Sequence, residues 1–124
     1  MAVIRSSAGR TLVFLVLTVL SACDQGELLS KRIADGTEAS APLSVQAVER
    51  DTLAQIHANP AVPQVPFGYL NTDWLALKAS LKPGDKLIRL VYSANTANGE
   101  GVVRVSYAVV RGDRIVAEMV VGES

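Results

Sequence analysis

Cysteine is nearly absent from this chain: Cys23 is the only one in 124 residues. No intrachain disulfide can form, so a small folded unit must be held by its apolar core. Histidine is also single, at His57, which excludes a His/Cys cage for a metal. Aromatic residues make up only 5% of the chain, and neither charge sign is in excess, with twelve basic and twelve acidic residues. That balance excludes the basic patch of a nucleic-acid binder, and no acidic run stands out. Catalytic signatures are missing as well. There is no G-x-S-x-G elbow, no S-x-x-K, no phosphate-cradling glycine loop and no EF-hand spacing of acids. The expectation is a protein that is not an enzyme, with no cofactor, no metal and no nucleic-acid partner. Long apolar runs are lacking too. The strongest, Thr11 to Leu20, falls short of the roughly 20 residues a membrane span needs.

That short run is informative through its neighbours. Arg5 and Arg10 precede it, Ser21 and Ala22 follow as small residues, and Asp24, Gln25 and Glu27 come directly after. This is the layout of a secretory signal. On its own, Cys23 could be a free thiol, an intermolecular bridge or a buried core residue. Leu20-Ser21-Ala22-Cys23 resembles the lipobox of bacterial lipoproteins at all four positions. The resemblance implies cleavage before Cys23, diacylglycerol on its sulfur and a further acyl chain, such as palmitate, on the new amino terminus. One acyl chain anchors marginally, at about 0.8 kcal/mol per buried CH₂, whereas two or more hold firmly. Asp24 resembles the inner-membrane retention signal of enteric lipoproteins. It implies the periplasmic face of the inner membrane, with the outer membrane as the alternative. Loss of residues 1–22 leaves ten basic and twelve acidic residues, a net charge of −2.

Three regions are expected: a signal over 1–22, a flexible tether over 23–42, and a small α+β domain over 43–124. The tether reading rests on Asp, Gly, Ser, Glu and Lys with few large apolar residues. From Ser44 onward, Val45, Val48, Thr52 and Ile56 share one helical face, with Ser44 as cap and Asn59-Pro60 as stop. Pro60, Pro63 and Pro66 predict an extended, polyproline-like connector. A second helix is expected from about Thr72 to Leu81, capped by Asn71 or Thr72, with Trp74, Leu77 and Leu81 on one face. Asp73 in its first turn and Lys78 and Lys82 near its end suit the helix dipole. Lys82-Pro83-Gly84-Asp85 ends it. Strands are then expected over Lys86–Ser93, Val102–Val110 and Ile115–Val121. Asn98-Gly99 marks one turn and Gly112-Asp113 the other. The fold class expected is α+β, two helices followed by a three-stranded antiparallel β-meander.

The register of the last hairpin stays open. A two-residue Gly-Asp loop sets Val110 opposite Ile115. A three-residue loop instead gathers Val103, Val105, Tyr107, Val109, Ile115, Ala117 and Met119 on one face. Either way the other face keeps valines beside Arg104 and Glu118, and such a face invites a helix, a partner or a second copy.

Few residues are left to carry chemistry. His57 reads as a surface residue at a helix end. Glu49 and Asp51, two apart on a helix, do not converge. Arg111-Gly112-Asp113 spells an adhesion tripeptide where a hairpin turn is required. Tyr69, Tyr92, Arg89 and Glu118 are the scattered polar residues a ligand site could use. Trp74-x-x-Leu77-x-x-x-Leu81-x-Pro83-Gly84-Asp85, with Tyr107 and Val110-Arg111-Gly112 before Ile115-Val116, resembles a class of small bacterial proteins of no assigned function. The element order also resembles small accessory lipoproteins of outer-membrane assembly machinery. The expected role is a lipid-anchored, protein-binding accessory module that meets an envelope protein or a second copy through the sheet. The alternative is a small-ligand-binding or enzymatic domain facing the periplasm.

Overall fold

Residues 86–95 and 101–123 are rich in β-branched and aromatic residues, and that propensity builds three long strands. The structure, a computed structural model, describes residues 26–95, 99 and 101–123. In chain order its elements are β1 (Glu27–Leu28), α1 (Leu29–Ala34), β2 (Thr37–Ala39) and α2 (Val45–Ile56). A 3-10 turn (Gly68–Leu70) leads into α3 (Asn71–Ala79), followed by β3 (Lys86–Asn95), β4 (Gly101–Arg111) and β5 (Arg114–Glu123).

The expected plan of two helices and a three-stranded meander is overturned. The sheet is curled and has five antiparallel strands in the order β1-β5-β4-β3-β2, with three short helices. Both added strands lie in the segment read as a tether. β1 pairs Glu27 with Ile115 and Leu28 with Arg114, while β2 pairs Thr37 with Tyr92 through Ala39 with Leu90. Strands of two and three residues are too short to show alternation, so no periodic signal betrays them. Backbone bonds continue the edge past β2, from Ser40 N to Arg89 O at 2.9 Å and from Leu43 N to Leu87 O at 2.8 Å.

The hairpin register combines both sequence alternatives. Arg111 pairs with Arg114 across the Gly112-Asp113 turn, and Val110 faces Ile115. Gly112 has φ 64°, the positive value a tight hairpin turn asks of its first central residue. A bulge between Val109 and Val110 then inserts Val116 and sets Val109 opposite Ala117. One extra residue switches the faces of everything downstream. Val109, Tyr107, Ala117 and Met119 therefore share a face, while Ile115 turns to the other.

The sheet is buried on both faces. On one, α2 and α3 cover a core of Val48, Trp74, Leu77, Leu87, Val109 and Met119. On the other, Leu29 of α1 packs on Ile88, Leu90, Ala108, Val110 and Ile115. Ser44 caps α2 by accepting from Ala47 N at 3.1 Å. Neither Asn71 nor Thr72 caps α3. The 3-10 turn runs straight into the helix, Leu70 holds the cap position without a side-chain bond, and Asn71 Nδ2 donates to Pro66 O at 3.0 Å.

The proline segment is not extended. It folds into turns held by the amide of Gln64, which donates to Val62 O at 2.8 Å and Asn59 O at 3.1 Å. At its end Phe67 adopts φ 65°, a left-handed conformation that costs a non-glycine residue on the order of 1–3 kcal/mol. Ring packing holds it there. Its centroid lies 4.9 Å from Trp74 and 5.2 Å from Tyr107, the latter edge-on.

Candidate functional site

One partly buried group of charges sits beneath α1. Arg32 reaches back over the sheet and grips Glu118 with two nitrogens, each at 3.0 Å, and also bonds Glu27 Oε2 at 3.2 Å. Ser106, 1% exposed, donates its hydroxyl to Glu118 Oε2 at 2.6 Å. The side chains of Arg32 and Glu118 are 17% and 23% exposed. Burial pushes the Glu118 carboxyl up, but the bonds from Arg32 and Ser106 outweigh it and hold the group below its usual value. The bond to Glu118 correspondingly raises Arg32. This is a closed pair that fastens α1, not a group poised to exchange a proton.

Across the sheet, Glu49 links α2 to α3. Its Oε2 accepts from Lys78 Nζ and from Trp74 Nε1, each at 2.8 Å. The bond from Lys78, then that from Trp74, lowers its pKa. Asp51 points elsewhere, pairing with Arg50 at 3.5 Å, so the two acids stay apart. Asp85 closes the turn after α3. Its carboxylate accepts from Lys82 N at 2.9 Å and takes a two-pronged grip from Arg111 at 2.9 and 2.8 Å. The Arg111 bond, then the Lys82 amide, keeps Asp85 below its ordinary value.

Arg111-Gly112-Asp113 is likewise structural. Asp113 supplies the cap α1 lacks: its carbonyl accepts from Leu29 N at 2.7 Å and its carboxylate from Ser30 N at 3.1 Å and Ser30 Oγ at 2.5 Å. Sequence reasoning missed this clasp and the Arg32–Glu118 pair because each joins residues more than 80 positions apart. No local spacing announces such a contact.

Several open clefts mark the described surface. One of about 510 Å³ runs between α3 and β5, beside Asp73, Ala76, Leu77, Ala117 and Met119. A second, about 370 Å³, lies between α2 and the sheet and contains Arg89, Tyr107 and Phe67. A third, about 350 Å³, contains Arg32, Tyr92 and Arg104. Arg89 and Tyr92 thus fall in different clefts on opposite faces, with Glu118 already engaged by Arg32. Tyr69, in the 3-10 turn before α3, is 75% exposed, its hydroxyl donating to Ala61 O at 2.9 Å. The four scattered polar residues do not converge. His57 is the exposed C-cap of α2.

Leu20, Ser21, Ala22 and Cys23 lie outside the described residues, as do Asn98 and Glu100. Among the described residues no three His, Cys, Asp or Glu side chains group to hold a metal, and no helix is long and apolar enough to cross a membrane. No protein-family model matches the chain, and neither a curated protein nor a solved structure is similar to it.

Proposed function

We propose that the mature protein is a lipid-anchored component of the bacterial envelope, held through Cys23 after cleavage behind Leu20-Ser21-Ala22, with its domain serving as a protein-binding accessory module. The four-position match to the lipobox, set in a signal-like context, supports the anchor. Asp24 supports the periplasmic face of the inner membrane.

Tyr69 carries the binding reading. Its ring is 75% exposed, yet the bond to Ala61 O holds it in place. A large ring that is already ordered loses little freedom when a partner covers it, which is why tyrosine is favoured at binding hot spots. Val65 and Leu75, 38% and 50% exposed, flank it in sequence.

The test is photo-crosslinking of the full-length lipidated protein in intact cells. A photoreactive phenylalanine analogue replaces Tyr69 in one variant and Glu38 in a control. One dominant product from the first position, absent from the second and matched by loss of co-purification in Tyr69→Ala, is the expected result. Self-crosslinks alone, or none, remove the binding reading.

A further inference from the structure

Gly26 is the first described residue, and it is pinned. Arg114 Nη1 donates to Gly26 O at 2.7 Å, and a Cβ at Gly26 would lie 3.0 Å from Ile115 O. The chain therefore leaves the domain at a set point against the outer edge of β5. Three steps of chain separate Gly26 from Cys23, and extended chain covers at most about 11 Å over that stretch. An acyl chain on Cys23 would enter the bilayer with almost no spacer between lipid and fold.

The position of that exit matters. β1 covers β5 only at Arg114 and Ile115, and no other described strand pairs with the outer edge beyond them. Val116 and Val120 on this strand are 39% and 42% exposed. The 510 Å³ cleft between α3 and β5 opens along the same edge. A long, partly apolar edge of this kind invites pairing with another sheet. The opposite edge, β2, lies three strand spacings from β5, about 14 Å across the sheet.

We infer that the outer edge of β5 faces the lipid bilayer, with the sheet standing edge-on and β2 turned away from the membrane. The inference rests on the lipid anchor at Cys23 and adds the orientation it imposes. The hydrated headgroup layer satisfies the open backbone groups of β5, while the bilayer blocks the approach of a second sheet. The face bearing Tyr69 remains free to meet a partner in the periplasm.

The test uses full-length lipidated protein in vesicles of phosphatidylethanolamine and phosphatidylglycerol. Once lipidated, Cys23 cannot be labelled, so Val116→Cys, Val120→Cys and Glu38→Cys each carry a single reactive thiol for an environment-sensitive fluorophore. Headgroup-spin-labelled phospholipid should quench the label at 116 and at 120 and leave that at 38 unquenched. A Gly-Ser spacer of about 15 residues before Gly26, spanning roughly 20 Å, should abolish the difference. Equal quenching at all three positions, or a difference untouched by the spacer, overturns the imposed orientation. Mass spectrometry of the amino-terminal peptide separates the two ideas. A chain without lipid on Cys23 defeats the anchor and this inference together, whereas a lipidated, vesicle-bound chain with equal quenching defeats the orientation alone.

Discussion

The two faces of the sheet are stabilised by different means. The face under α2 and α3 is apolar and aromatic, built around Trp74, which is 0% exposed, with the Phe67 ring tilted against it and Tyr107 edge-on to Phe67. The face under α1 has smaller side chains, and its cover is a helix of only six residues. So short a helix has too little apolar surface to bind by burial alone. Polar clasps make up the difference: Arg32 to Glu118 and Glu27, Asp113 to Ser30, and Arg114 to Gly26. The contrast teaches that a segment poor in apolar residues can still complete a core, provided directional bonds place it.

Breaking the aromatic face should cost most. Trp74→Ala removes the largest buried side chain and leaves Glu49 with one donor fewer, for an expected loss of about 3–5 kcal/mol in denaturant unfolding. A loss below about 1 kcal/mol would show that this face is not the main core.

The polar face should respond less, and in a pH-dependent way. Glu118→Gln is expected to cost about 2 kcal/mol at neutral pH, because Arg32 keeps only Glu27 as a charged partner. The folded pKa of Glu118 lies below its unfolded value, so its stabilisation is present above about pH 4.5 and is lost as pH falls through the folded value. The gap between wild type and variant should therefore close on acidification. A gap constant from pH 7 to pH 3 would assign the loss to packing instead.

The smallest effect sharpens the comparison. Asp113→Ala removes the borrowed cap of α1 and should cost about 1 kcal/mol. Hydrogen exchange should rise in residues 29–34 and stay unchanged in α2 and α3. Equal acceleration of all three helices would mean the faces unfold as one.

Much of the apolar face was legible from local pattern. Ser44 and the spacing of Val45, Val48 and Thr52 marked α2, and Trp74 with Leu77 marked the buried side of α3. The three long strands followed from runs rich in β-branched and aromatic residues set between turn signals. Residues 27–39 were not legible, because edge strands this short and a six-residue helix with a distant cap produce no period. The proline segment misled for a related reason. Prolines at every third position favour extended chain locally, but Gln64 and the rings around Phe67 bend it into turns through contacts the spacing does not encode. Of the candidate site, Tyr69 could be noticed from sequence, but its exposure and its bond to Ala61 could not.

By itself, the sequence determined what depends on neighbours along the chain: the helix on Ser44, the turn at Gly112-Asp113 and the β-branched and aromatic runs of β3, β4 and β5. Tertiary structure alone decided the five-strand order, the bulge that sends Ile115 and Ala117 to opposite faces, and the clasp of α1 by Asp113 and Glu118. The reason is range. Capping, turn preference and strand propensity act over a few residues, whereas a bulge register and a salt bridge between Arg32 and Glu118 exist only once distant strands have met.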